Sequence, residues 1–481
     1  MLRHYVTAAI LCLCATQIYA KTSSRPQDEG DETGLRSEVR RLEREVSELR
    51  EMVRQLAADR SDGAGAPPDV GPSNAQSRTA QPPVTEAAAE AYAQQSAPVS
   101  ANPPRNTIGD ELTGVSRPDT AAPPNDPTLR GFIEIPGTET RFKLGGFAKV
   151  NAIYDTASAG NRDKFVTASI PVGANAGPNA SINATATRLS IDVRRPSSLG
   201  PLRFYLENDF YGGSGSTAFR LRQAHGQVGN TYGGYGYSAF TDSDSFPETL
   251  DDEGPGGEAL LRVAAIRQII KLGGAWTATV SIENPSSDLT LPAGASPDQP
   301  MPDIVGAVRA QGGWGHVQAA AVARQLGYHL GETDRSTFAF GLTLSGLLKF
   351  GGDFVMAGIT YGEGIARYLN DLGGRGYDGV VGPDGKIHRL EALGGYVGYT
   401  LHWNERLRTN IVGSALVLGR DEFLPATAFR SSQYAGANLI LQASPSFSAG
   451  VEGLYGRHEL QNGENADAVR LQLSFKYDLV R

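Results

Sequence analysis

The sequence predicts an all-β transmembrane fold: about 16 antiparallel strands closed into an outer-membrane-type barrel over residues 129–481. Three observations lead there. The last segment alternates, with Val469, Leu471, Leu473, Phe475, Tyr477 and Leu479 on one face and Arg470, Gln472, Ser474, Lys476 and Asp478 on the other. Its length suits the ~9–11 residues of a tilted membrane-spanning strand. Short turns and long loops then divide similar segments. Mean hydropathy is only −0.28, yet in a barrel only every second strand residue faces lipid, so a low average is expected.

Residues 1–20 read as an export signal: Arg3 and His4, an apolar run from Val6 to Cys14, and Ile18-Tyr19-Ala20 before the cut. The run is too short to span a bilayer ~30 Å thick. The bulky Leu11 and Leu13 before Cys12 and Cys14 argue against lipid attachment. Both cysteines of the chain lie in this segment. The remainder therefore has no disulfide framework, cysteine metal site or thiol nucleophile.

Residues 21–34 read as a flexible N-terminus and 35–60 as a coiled coil. Leu35, Leu42, Leu49 and Leu56 recur every seven residues, with Val39, Val46 and Val53 between them. Val at a and Leu at d form a self-association seam. Glu45 and Arg50 can pair between chains, whereas Glu38 and Glu43 repel. Val at a with Leu at d favours dimers, so the seam does not set the oligomer number. Residues 61–128 hold 12 of the 28 prolines and a single aromatic, Tyr92. Such a chain cannot repay its ordering entropy by apolar burial and reads as a disordered linker. The N-terminal region is expected in the periplasm.

Within 129–481 the first strand carries Phe142, Leu144, Ala148, Val150, Ala152 and Tyr154 on one face and Lys143, Lys149, Asn151 and Asp155 on the other; Phe147 and Ile153 break the pattern. Leu189, Ile191 and Val193 alternate with Arg188, Ser190, Asp192 and Arg194. Further strands are expected at 202–210, 219–228, 276–283, 338–345, 354–361, 393–403 and 436–442. Gly351-Gly352-Asp353 and Asn404-Glu405 suit hairpins, and 156–184, 284–303 and 369–389 suit external loops. About 350 residues at roughly 22 per strand give about 16 strands, a barrel wide enough to hold water.

Arg188, Arg194, Arg203, Arg220, Arg222, Arg267, Arg324 and Arg367 lie in or beside these strands. Any one could be a solvated or paired charge, with Glu207, Asp209 and Glu363 nearby. Together, in a narrow lumen, they would concentrate small anions. The segment 240–258 is acidic, with Asp242, Asp244, Glu248, Asp251, Asp252 and Glu253. Folded inward, it would face the arginines as a constriction; otherwise it is an external loop.

Several stretches resemble the DcaP-like porin family: Phe132–Val150, Thr187–Arg194, Gly200–Glu207, Phe219–Gln227, Pro247–Gly257 and Thr360–Tyr368. The resemblance implies a 16-stranded homotrimer in the outer-membrane lipid that takes up small anions, dicarboxylates among them. It also implies that Arg188, Arg203, Arg220, Arg222 and Arg267 line the lumen. Two features depart from the family: the chain ends Leu479-Val480-Arg481 rather than on an aromatic, and Tyr237 stands where Trp is frequent.

The competing readings are a tether, whose coil and linker engage periplasmic or peptidoglycan partners while the barrel anchors it, and a membrane-embedded hydrolase. No Ser-elbow, zincin or phosphate-loop motif supports the latter. Gly374-Arg-Gly-Tyr-Asp-Gly379 fits a dinucleotide pattern, but a turn follows it where a helix is required. The histidines lack metal spacing, no cofactor is implied, and a net charge of −8 gives no basic face for nucleic acid.

Overall fold

The computed structural model describes residues 131–173, 177–212 and 217–479. The expected signal, coiled coil and linker lie outside the described residues.

Sixteen strands form the wall: β1 (Arg141–Asp155), β2 (Arg188–Arg195), β3 (Leu202–Asp209), β4 (Arg220–Val228), β5 (Thr231–Tyr237), β6 (Arg262–Gly273), β7 (Trp276–Glu283), β8 (Asp303–Gly312), β9 (Gly315–Leu330), β10 (Thr333–Phe350), β11 (Asp353–Glu363), β12 (Glu391–His402), β13 (Leu407–Leu418), β14 (Phe429–Ser444), β15 (Phe447–Leu460) and β16 (Asn465–Asp478). Each is antiparallel to its neighbours. The ring closes because β1 pairs with β2 from Arg141↔Arg194 to Phe147↔Arg188 and with β16 from Phe147↔Asp478 to Asp155↔Arg470. Closure leaves no open edge, the condition for a sheet in hydrocarbon.

The two-residue period sets the faces. On β16, Leu471 is 55% and Phe475 44% exposed, whereas Arg470 is 0% and Gln472 2%. The two residues that break the pattern of β1 point inward. Phe147 gives a ring to two cations, the Arg188 guanidinium at 5.2 Å and Lys476 Nζ at 4.5 Å. All three tryptophans, Trp276, Trp314 and Trp403, are exposed at the short-turn end, with Phe350, Tyr399 and Phe447. Phe219, Phe338, Tyr361 and Tyr455 ring the other end. Two aromatic belts around an apolar band mark the membrane interfaces.

Short turns such as 229–230, 274–275, 313–314 and 351–352 join strands at one end. Gly351 takes φ 64° there, a value that favours glycine. The turn at Asn404-Glu405 joins β12 to β13 as expected. At the opposite end, segments 156–187, 238–261, 284–302 and 364–390 are long.

These long segments do not simply hang outside. Phe165 and Ile170 of 156–187 pack on Val412, Tyr434 and Leu454 of the inner wall. Ala366, Leu369 and Leu372 of 364–390 pack on Ala392, Leu416 and Leu418. Phe240 and Leu261 pack on Val305, Val322 and Tyr368. The inner wall is therefore apolar where loops cover it and polar elsewhere, a distinction that period-two patterning alone does not make.

Leu473 lies within the lipid-facing band. Leu473→Arg is expected to lower folding stability in vesicles by about 2–4 kcal/mol, the usual penalty for a cation near the bilayer midplane. Urea titration of refolded protein checks this, and unchanged stability would contradict the assigned face.

Candidate functional site

The lumen holds two charged assemblies on different parts of the wall. The first is built by β2 to β6. The inward faces of β2, β3 and β4 carry Arg188, Asp192 and Arg194, then Arg203, Glu207 and Asp209, then Arg220 and Arg222. Register sets Arg203 beside Arg194 and Arg220 beside Asp209.

Each carboxylate here bridges two arginines. Asp192 accepts from Arg203 at 2.9 Å and Arg194 at 3.0 Å. Glu207 lies 2.7 Å from Arg222 and 3.8 Å from Arg188. Asp209 accepts from Arg220 Nε at 2.9 Å and from Arg222 at 3.1 Å. Two further arginines come from β6 and rest on tyrosines: Arg267 over Tyr232 at 4.4 Å and Arg262 over Tyr237 at 5.5 Å. Tyr237 also meets Arg222 through its hydroxyl at 3.2 Å and Arg267 through its carbonyl. Apart from the exposed Arg195, these five strands set seven arginines against three carboxylates. Paired charges at this density hold one another in place, and the surplus is positive.

The second assembly is the acidic loop. Residues 238–261 lie against the inner wall, and their carboxylates turn to other cations than the eight arginines singled out from sequence. Asp242 accepts from Arg309 at 3.0 Å, His316 at 2.9 Å and Ser345 at 2.8 Å. Asp244 also binds Arg309. Glu248 pairs with Arg408. Asp251 lies 3.2 Å from Arg470, which also holds Asp155 at 2.7 Å. Asp252 is 3.0 Å from Lys149, and Glu253 is 3.2 Å from Lys164. Glu452 of β15 accepts the backbone N–H groups of Leu250 and Asp251, at 2.9 and 2.7 Å. The loop thus follows the wall from β8 through β16 to β1.

Glycines let its backbone lie flush on that wall. A Cβ on Gly257 would meet the Ala415 carbonyl at 2.5 Å, and one on Gly394 would meet the Gly257 carbonyl at 2.7 Å. Burial lifts the Asp244 carboxyl above its usual range even though Arg309 opposes the shift. Burial likewise raises Glu253 and lowers Lys164, each partly restored by the other.

Arg324 and Arg367 belong to neither assembly. Arg324 binds Asp303 at 3.1 Å and Asp378 at 2.9 Å, while Arg367, on a short 3-10 turn of 364–390, lies 3.4 Å from Asp303. Both stack on Tyr368. They pin loops where sequence placed them with the lumen arginines. Asp378 belongs to the glycine-rich 374–379 segment, in which the Gly374 and Gly376 amides donate to Asp288 at 2.9 and 2.8 Å.

Sequence reasoning missed Arg262, Arg309, Arg408 and His316 as participants. The readable signal for Arg309 was the alternation of Asp303–Gly312, where it shares an inward face with Asp303, Val305 and Ala307. Among the described residues, Asp242, Asp244 and His316 are the one group whose ligand atoms fall within 4.8 Å, the spacing of a metal site. Arg309 pairs with both carboxylates, which makes the group a pin for the loop.

Residues 130–480 match the porin subfamily. No curated protein matches the chain. Among solved structures, the outer-membrane channel DcaP of Acinetobacter baumannii superposes with a TM-score of 0.65 at 23% identity, covering 72% of this chain and 99% of that one. The anion-selective porin of Comamonas acidovorans gives 0.47 at 12% identity, covering 71% and 100%. OmpT of Vibrio cholerae gives 0.45 at 9%, covering 72% and 99%.

Arg470 is fully buried between two carboxylates. Arg470→Met keeps much of the volume but leaves Asp155 and Asp251 uncompensated, so the loss of stability is expected to be about 3–5 kcal/mol. A lower urea midpoint checks this. An unshifted midpoint would show that the loop does not depend on the pair.

Proposed function

This chain belongs to the porin subfamily, and from that premise we propose that it is an outer-membrane channel that passes small anions, dicarboxylates among them, and works as a homotrimer. The observation that carries the anion preference is the division of charge in the lumen. The acids of loop 238–261 are matched largely by Arg309, Arg408, Arg470, Lys149 and Lys164. They do not cancel the arginines of β2 to β6, which retain their surplus over Asp192, Glu207 and Asp209.

A carboxylate passing that wall meets guanidinium groups already held by bridging acids and tyrosine rings, so little ordering is spent on binding it. The walls exclude solvent and keep the field strong over the width of the lumen. Dicarboxylates follow from the spread of the arginines over neighbouring strands, which lets two charged ends be met at once; the family resemblance points the same way. The homotrimer rests on that resemblance. The coiled coil expected at residues 35–60 would add self-association on the periplasmic side without setting that number.

In planar bilayers under a salt gradient, the zero-current potential is expected on the anion side. Arg267→Gln removes one positive charge without breaking a bridging pair. It is expected to lower the anion-to-cation permeability ratio roughly two- to five-fold, the size of one screened charge across ~8–10 Å. Cation selectivity in the parent protein would overturn the reading.

A further inference from the structure

Loop 238–261 is clasped to loop 364–390 by main-chain bonds. Asn370 N–H donates to the Glu258 carbonyl at 3.1 Å, Leu260 N–H to Tyr368 at 2.9 Å and Asp371 N–H to Gly256 at 3.2 Å. Ala259 and Leu369 face each other as an antiparallel bridge. At the centre of this clasp sits a carboxyl group that the ion-pair scheme of the lumen does not use. Glu258 is 1% exposed, and among the described residues its buried Oε2 has no hydrogen-bond partner and its side chain forms no ion pair.

The groups that face it are of the wrong kind to neutralise it. Glu253 from its own loop and Asp371 from loop 364–390 both add negative charge. Tyr396 of β12 and Tyr434 of β14 also face it, the former through a hydroxyl shared with Ser245, the latter with a hydroxyl that is buried and unpartnered. The cations beside those two acids are engaged with them: Lys164 with Glu253 at 3.2 Å, and Arg375, whose Nε donates to the Asp371 carbonyl at 2.7 Å. Asp371 is held by Thr167 at 2.5 Å and Ser432 at 2.8 Å.

We propose that Glu258 is a proton-operated latch: its carboxyl carries a proton while the two loops are clasped, and loss of that proton to water releases the clasp and widens the passage. An ionised carboxylate enclosed by two others, with no cation beside it, is not tolerated in a dry site, whereas the neutral acid is. Burial first, then Glu253 and Asp371, push the Glu258 carboxyl well above its ordinary range. The clasped form therefore holds a proton that the released form gives up. Clasping is at full strength below the ordinary carboxylate range and weakens as pH rises towards the raised value. Glu253, raised by the same burial, keeps Lys164 beside it at 3.2 Å and so can ionise without leaving its place. The channel is accordingly narrower in acid and wider in alkali.

The latch relies on the channel reading only for its electrical readout, so two readouts are needed. The first is single-channel conductance of the full chain between acid and alkaline pH. For the parent protein, release of one proton changes the ratio of wide to narrow states by up to about tenfold per pH unit. Glu258→Gln keeps the neutral shape without the titratable proton and is expected to stay narrow at every pH. The second is a tether. Ala259 and Leu369 form the non-hydrogen-bonded type of antiparallel pair, whose close Cα atoms suit a disulfide. Oxidised Ala259→Cys/Leu369→Cys is expected to lose the pH response and regain it on reduction. The rate of cross-linking, divided by that of the same two cysteines in the Glu258→Gln background to cancel the pH dependence of thiolate formation, is expected to fall as pH rises. An unchanged pH response in Glu258→Gln, or a rate ratio that is the same at all pH, would overturn the latch. Cation selectivity with the pH response intact would overturn the anion reading alone.

Discussion

The rest of the structure depends on one constraint: a strand in hydrocarbon must have both edges paired. Over residues 147–155 β1 meets this with β16 on one edge and, on the other, with residues 179–183, which take over where β2 ends. Once the sheet is closed, the alternation of side chains has only two environments to serve, lipid and lumen. Leu471 and Phe475 are exposed for the same reason that Arg470 and Gln472 are buried. A one-residue slip of β16 would send Arg470 and Lys476 into the bilayer and Leu471 into the lumen, so the charges of the interior also fix the register.

Inside the ring, electrostatics takes over from patterning. Dense cations on a wall repel one another unless something bridges them, and Asp192, Glu207 and Asp209 do so by each serving two arginines. The acidic loop meets the converse requirement on the other walls, where Arg309, Arg408, Arg470, Lys149 and Lys164 each receive a carboxylate. The two systems are separately bridged, and so the positive surplus survives beside a strongly acidic loop. Among the described residues, Glu258 is the acid of loop 238–261 that finds no cation, which is why a proton becomes part of the architecture there.

The sequence shows the barrel most clearly where a strand is apolar on one face only. β16 and β1 are of that kind, and the strand count follows from chain length divided by strand length. Thr231–Tyr237 reads Thr-Tyr-Gly-Gly-Tyr-Gly-Tyr; its glycines erase the period, and only its pairing with β4 and β6 makes it a strand. β9 and β15 are rich in alanine, glycine and polar residues on both faces, and sheet context again outweighs local preference. The inward apolar side chains of β12 to β15 are legible only when it is known which loop covers them. The six loop carboxylates were visible as a cluster, but their partners lie far away in sequence: Asp251 meets Arg470, and Glu248 meets Arg408. Such pairings come from closure of the ring, not from spacing along the chain.

The central claim is a closed sheet with one lipid-facing and one lumen-facing row on every strand. It is tested most directly by single-cysteine spin labels at each position from 469 to 478 in reconstituted bilayers, read by accessibility to oxygen and to a water-soluble nickel chelate. The account predicts strict alternation, with labels at 469, 471, 473, 475 and 477 accessible to oxygen and those at 470, 472, 474 and 476 shielded from it. A period near 3.6 residues, or uniform accessibility to the chelate along the segment, would contradict it.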